Sequence, residues 1–161
     1  MGASSTQQFY DENKLEKVLE IHNKYRKRHS SPPLILKDKL TKIAEELANL
    51  LINNKNDNID DSFLIYKNLP LGVNIYNNKA HKSPEDICEE WYNENKNYKY
   101  DRDKFQKNAI HFTQIVWKNT KEGGFAFPIK KGKKCCGVAL YYPAGNIFEE
   151  FKENVIKPKQ K

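Results

Sequence analysis

Apolar residues recur at helical spacing across residues 11–29, where Leu15, Val18, Leu19, His22, Tyr25 and His29 form one stripe. Asp11 can cap this helix, and Pro32-Pro33 ends it. A second helix is predicted from about Asp38 to Asn53, with Leu40, Ile43, Ala44, Leu47, Leu50 and Leu51 turned inward. After a polar loop, Gly72 to Tyr76 reads as a short strand. Ser83-Pro84-Glu85-Asp86 is a helix start, with Ser at the N-cap, Pro at the first helical position and acids in the first turn. That helix carries Ile87, Trp91 and Glu94 and ends near Asn97. In the run His111 to Thr120, the spacing of Phe112, Ile115, Val116 and Trp117 buries one helical face. His111 stands at the entry of that helix, and Gly123-Gly124 is expected to close it. Phe125 to Ile129 and Gly137 to Tyr142 read as paired strands joined by a basic turn, with Pro128 placing the first near a sheet edge. The remainder, Phe148 to Lys161, is mixed and ends in solvated charge. No repeat or domain boundary interrupts the pattern. Residues 1–10 read as a flexible tail and 11–161 as a single α+β domain, with helices covering an antiparallel sheet.

Composition changes this picture mainly through charge. The 161 residues fit one domain with a sizeable core. Hydrophobic residues make up only 38%, and mean hydropathy is −0.88, but the 8 Phe, 9 Tyr and 2 Trp suffice to build a core. Lys and Arg number 28 against 21 acids, a net charge of +7. The basic side chains cluster at Lys24, Arg26, Lys27 and Arg28, at Lys130, Lys131, Lys133 and Lys134, and at Lys157, Lys159 and Lys161. The plain reading of such clusters is solubility. The functional one is an acidic partner, either nucleic acid or an anionic membrane. No zinc-finger spacing, RNA-binding aromatic run or Gly-rich phosphate loop is present, so anionic membrane lipids are the expected partner and nucleic acid is not. The cysteines Cys88, Cys135 and Cys136, odd in number and two of them adjacent, make no disulfide framework. The first apolar segment is studded with charge, unlike a signal peptide, and no run approaches a membrane span. A reducing, intracellular compartment is expected.

Three features bear on chemistry. Met1-Gly2-Ala3-Ser4-Ser5-Thr6 fits the N-myristoylation pattern, which makes Gly2 a candidate lipidation site. One acyl chain binds membranes marginally, and the basic clusters can supply the second signal. Glu94 and His111 both stand at the ends of aromatic-rich helical segments; such a pair can do acid–base work, help hold a metal, or form a structural hydrogen bond. His22 and His29 are seven residues apart with Tyr25 between them, which suits packing rather than metal chelation, and His81 reads as a loop residue.

The runs His111-Phe112-Thr113-Gln114-Ile115-Val116-Trp117-Lys118-Asn119-Thr120 and Tyr141-Tyr142-Pro143-Ala144-Gly145-Asn146 resemble the two signature motifs of the CAP superfamily (cysteine-rich secretory proteins, antigen 5 and pathogenesis-related 1). The likeness extends from His22-Asn23-Lys24-Tyr25-Arg26, through Pro32-Pro33-Leu34 and Trp91-Tyr92-Asn93-Glu94, to Phe151-Lys152-Glu153-Asn154-Val155. It implies a three-layer α–β–α sandwich, with a small antiparallel sheet between helices. It is strongest for the intracellular, Golgi-associated members, which begin Met-Gly, are myristoylated and are reported as homodimers. A homodimer or interaction scaffold, and a place on the cytosolic face of the Golgi or other endomembranes, follow as expectations. The resemblance also implies a cavity lined by two His and two Glu. Glu94 and His111 match one of each. The second Glu should stand at Val73 in Gly72-Val73-Asn74, and the second His in the loop from about Asn53 to Phe63, where only Asn56, Asn58 and Asp60 offer polar groups. The Gly that usually precedes the motif His is Ile110. With half the tetrad replaced, no metal, cofactor or catalytic residue is expected, and a metal-dependent hydrolase using Glu94 and His111 is the lesser alternative. Val73 is expected to face the pocket, desolvate Glu94 and tie it to His111 as a buried ion pair.

Overall fold

The computed structural model describes residues 12–53, 60–128 and 134–159. Helix α1, Glu12–Arg28, buries Val18, His22, Tyr25 and Arg26 along one stripe. Its end is fixed by two backbone bonds, Ser31 N–H to Arg26 O at 2.9 Å and Ser30 N–H to Lys27 O at 3.2 Å. Ser30, at φ 61°, takes the left-handed position of a Schellman cap. The proline pair thus follows a helix already closed by its own backbone. Asp11, read as the N-cap, lies outside the described residues.

A two-residue strand β1, Ile35–Leu36, leads into helix α2, Asp38–Asn53. Leu40, Ala44, Leu47, Ala48 and Ile52 are its buried stripe; Leu50, expected inside, is turned out. Strands β2 (Ile65–Tyr66) and β3 (Leu69–Pro70) form a small hairpin, followed by β4 (Gly72–Asn78). Helix α3, Pro84–Asn93, begins as its sequence predicts, with Ser83 Oγ accepting the Asp86 N–H at 3.1 Å. It tightens into a 3₁₀ turn over Glu94–Asn97. Helix α4 covers Ile110–Val116 and stops there. Gly123 and Gly124 therefore do not close it; they lie inside strand β5, Glu122–Ala126. Strand β6 is Cys135–Tyr142, and a last short helix, α5, is Phe151–Asn154.

The main sheet has the order β1-β5-β6-β4. The pairs β5–β6 and β4–β6 are antiparallel, and β1 adds a short parallel edge to β5. Strand β5 is thus paired on both sides, and Pro128 sits beyond its end, where no ladder hydrogen bond is needed. Alternation along β6 separates two cores. Cys136, Val138 and Leu140 meet α2 with Leu40, Ala44 and Leu47. Ala139 and Tyr141 face an aromatic cluster of Tyr25, Trp91, Tyr92, Phe112, Trp117, Phe125 and Phe151 supplied largely by the helices of the other face. This is the three-layer α–β–α arrangement. Gly124 allows it, because a Cβ there would lie 2.3 Å from the backbone of Leu40 and of Thr41. The C-terminal segment is mixed, as its sequence predicts: Phe151 and Val155 are buried, with Phe151 edge-on against Trp117, while Lys157 and Lys159 are exposed.

Candidate functional site

Glu94 and His111 meet where the 3₁₀ turn after α3 approaches the start of α4. Glu94 Oε2 accepts from His111 Nδ1 at 2.7 Å. Glu94 Oε1 accepts the backbone N–H of His111 at 2.9 Å and of Phe112 at 3.3 Å. Ala109, at the N-cap of α4, has no side chain to do this. The carboxylate therefore caps the helix from a distant part of the chain, as a negative group at a helix start should. The imidazole lies parallel to Trp91, 7° apart in plane with centroids 5.9 Å apart. Donation from Nδ1 to the carboxylate leaves Nε2 as the free nitrogen of the ring, and no described residue bonds to it. Side-chain exposure is 24% for Glu94 and 27% for His111, so this is a half-sheltered pair rather than the buried one expected.

Val73 does not produce that shelter. It packs with the α2 cluster, on the opposite face of the sheet from the aromatic core. Its neighbour Asn74 is the residue turned toward α4, donating from Nδ2 to His111 O at 3.1 Å and to the Tyr141 hydroxyl at 3.2 Å. The Tyr141 hydroxyl lies 2.7 Å from His22 Nε2, and His22 Nδ1 lies 2.9 Å from Val18 O. A carbonyl accepts only, so Nδ1 carries the proton and Nε2 accepts from Tyr141. Full burial pulls the His22 pKa down to about 4 and pushes the Tyr141 hydroxyl well above its usual value. Both groups are neutral near pH 7, so the chain Asn74–Tyr141–His22 works as a buried framework. His29, also a packing residue, bonds Ile156 O at 2.8 Å and the Tyr92 hydroxyl at 2.8 Å. His81 is an exposed loop residue.

The second signature run is buckled to the first through Gln114. Its Oε1 accepts the Gly145 N–H at 2.9 Å, and its Nε2 reaches Thr120 Oγ1 at 3.3 Å. Thr120 Oγ1 in turn donates to Pro143 O at 2.8 Å. Asn146, at φ 59°, donates to Ile110 O at 3.0 Å. A Cβ at Gly72 would fall 2.1 Å from Gln114 Oε1, so a side chain there would push this carboxamide off its bond to Gly145.

The basic residues divide. Lys24, Lys27, Arg28 and Lys134 are exposed. Arg28 also lies over the stacked Tyr25 and Tyr92 rings, 5.5 and 5.6 Å from their centroids. Arg26 is not a surface residue. It is fully buried, and its guanidinium donates to Pro32 O at 2.8 Å, Ile115 O at 2.9 Å, Trp117 O at 2.9 Å and Thr120 O at 2.8 Å. It cannot meet a lipid headgroup. The signal was in the sequence, since Arg26 is four residues from His22 on the buried stripe. Gly2, Lys130, Lys131 and Lys133 lie outside the described residues, as do Asn56 and Asn58; Asp60 is exposed and accepts the Ser62 N–H at 3.0 Å. Among the described residues, no group of three or more His, Cys, Asp or Glu is placed to hold a metal ion. Cys88, Cys135 and Cys136 are free thiols, and no described helix is long and apolar enough to cross a membrane.

Comparison with known proteins agrees with this geometry. The family model of the cysteine-rich secretory proteins, CAP, matches residues 19–142. Golgi-associated plant pathogenesis-related protein 1 of Homo sapiens is 33% identical over 168 aligned positions, covering 99% of this chain and 100% of that one. Among solved structures, venom allergen-like protein 4 of Schistosoma mansoni superposes with a TM-score of 0.69 at 22% identity, over 91% of this chain and 96% of that one. NaASP2, solved with Zn2+, gives a TM-score of 0.69 at 18% identity, over 94% and 88% of the two chains. The two signature runs, the capping Glu94 beside His111 and the α–β–α layers carry one conclusion: this chain belongs to the cysteine-rich secretory protein (CAP) family.

Proposed function

We propose that this chain is a non-enzymatic CAP-domain protein that associates peripherally with anionic membranes, on the cytosolic face of the Golgi or other endomembranes. An acyl chain on Gly2 and exposed basic residues would hold it there. The observation that carries the reading is the use made of Glu94. Its carboxylate is spent on three internal hydrogen bonds, two of them capping α4, which leaves no free base beside His111. The pair offers a metal one imidazole nitrogen, whereas a catalytic zinc needs about three protein ligands. The described residues therefore do not fit the zinc of the NaASP2 structure. The +7 charge, the exposed Lys24, Lys27, Arg28 and Lys134, and the Met-Gly start support a surface role instead. The Golgi association stated for the human relative supports the compartment.

The test is twofold. Mass spectrometry of the native N-terminus should find myristate on Gly2, and a Gly2→Ala variant should move from the membrane to the soluble fraction of cells. Sedimentation with phosphatidylserine vesicles should exceed that with phosphatidylcholine and weaken with salt. Equal binding to both lipids at every salt concentration would overturn the electrostatic part. A Gly2→Ala variant that stays on membranes would overturn the anchor.

A further inference from the structure

The structure assigns the lipid-facing surface to basic side chains that lie far apart in sequence. We infer that Lys27 and Arg28 at the end of α1, Lys118 after α4, and Lys157 and Lys159 of the C-terminal segment form one docking face for an anionic bilayer. This rests on the membrane reading above and specifies which residues perform it.

The argument is a closed ring of backbone and side-chain bonds joining three segments. Arg26, on the last turn of α1, donates to Trp117 O and Thr120 O, either side of Lys118. Ser31, just past the helix, donates to Val116 O at 2.6 Å. The Lys118 N–H donates to Asn154 O at 3.0 Å, which fastens that loop to α5 and the segment after it. That segment returns to α1: His29 Nδ1 donates to Ile156 O at 2.8 Å, and the Lys159 N–H donates to Arg28 O at 3.1 Å. The buried guanidinium thus serves as the hub of the face rather than as one of its charges.

Lys27, Arg28, Lys118, Lys157 and Lys159 are all exposed. The segments that carry them contain no acid: residues 21–37, 117–121 and 154–161 hold neither Asp nor Glu. Among the described residues the bordering acids include Glu89 on α3 near Arg28, Glu122 at the start of β5, Glu153 on α5, and Asp103, whose carboxylate accepts the Phe151 N–H at 2.8 Å. Lys24 and Arg28 line one groove with Glu85, Asp86 and Glu89, so the face is centred on Lys27, Lys118, Lys157 and Lys159, with Arg28 at its acidic border and Lys24 beyond it. Like charges held together by the fold stay close without a partner, and an anionic surface within a Debye length relieves their repulsion.

The probe is the full, non-acylated chain sedimented with vesicles of phosphatidylcholine, with and without phosphatidylserine, at about 0.1 M salt. Each lysine near such a surface contributes about fivefold in affinity. Lys157→Gln/Lys159→Gln should therefore weaken binding to phosphatidylserine vesicles roughly thirtyfold, as should Lys27→Gln/Lys118→Gln. The control Lys39→Gln/Lys79→Gln removes the same charge from exposed positions elsewhere and should change binding less than threefold. Unfolding midpoints of all three variants should match the parent, since these side chains are exposed. If the parent chain binds both vesicles alike, the membrane reading itself fails. If the parent prefers phosphatidylserine but the Lys157/Lys159 variant binds like the parent, or the control falls as far as the others, the reading survives and this face is overturned.

Discussion

Replacing Arg26 by Met should be among the most damaging substitutions in this chain that leave the aromatic core intact. Burial lowers the guanidinium pKa to about 10, which still leaves it charged at neutral pH. Its Nε, Nη1 and Nη2 donate to four carbonyls belonging to residues 32, 115, 117 and 120. Met fills a similar volume and offers no donor. Trp117 O keeps its bond from the Thr120 N–H at 3.1 Å, and the other three carbonyls, left dry, cost about 1.5–2 kcal/mol each, so the gross loss is on the order of 4–6 kcal/mol. Removing a buried charge offsets part of this, and a net loss of about 3–5 kcal/mol is expected. Against a total stability of roughly 5–15 kcal/mol that is a large fraction, and Tm should fall by roughly 10 °C or more. Lys should be intermediate, because one ammonium cannot serve carbonyls on several sides of a planar fork. The assay is urea unfolding followed by fluorescence of the buried Trp91 and Trp117, with the m-value checked for constancy. A Met variant within about 1 kcal/mol of the parent, or a Lys variant equal to it, would refute the reasoning.

Other outcomes follow from the same structure. The His22 pKa, near 6.5 unfolded and about 4 folded, makes the native state bind fewer protons in that window, so stability is full above pH 6.5 and falls as pH drops toward 4. The difference of about 2.5 units corresponds to about 3 kcal/mol lost by pH 4, and His22→Gln should flatten that slope in unfolding curves taken across the range. Glu94→Ala should lose about 2 kcal/mol by uncapping α4, while Glu94→Gln, which keeps an acceptor for the backbone N–H groups, should lose less; equal losses in chemical unfolding would count against the cap. Gly124→Ala should cost about 3 kcal/mol or prevent folding, because the added carbon meets helix backbone and not a movable side chain. Protein purified with micromolar zinc should carry substoichiometric metal by atomic absorption, and His111→Ala should not change the amount.

The sequence by itself determined the elements and the family. Local signals sufficed where one segment decides its own state: the Ser83-Pro84 start of α3, the stripe of α1, and the strand read from Gly137 to Tyr142. The two signature runs identified the fold because they mark contacts that the layers require. Other outcomes depended on what lies across the chain. Gly123-Gly124 looked like a helix stop, yet pairing with β1 and β6 makes these residues strand, and α2 passes too close to Gly124 for a side chain. Val73 looked like a pocket residue, yet strand parity turns it to α2 and gives Asn74 the contact with α4. Glu94 and His111 could be paired from the family pattern, but the capping of α4 by Glu94 needed the end of one helix set against the start of another. Arg26 shows the difference most clearly. The sequence supplied a cation in a basic run, and four inward-facing carbonyls 6 to 94 residues away decided that it is core. Charge is a property of a residue, whereas exposure is a property of its neighbours, and only tertiary contacts supply those.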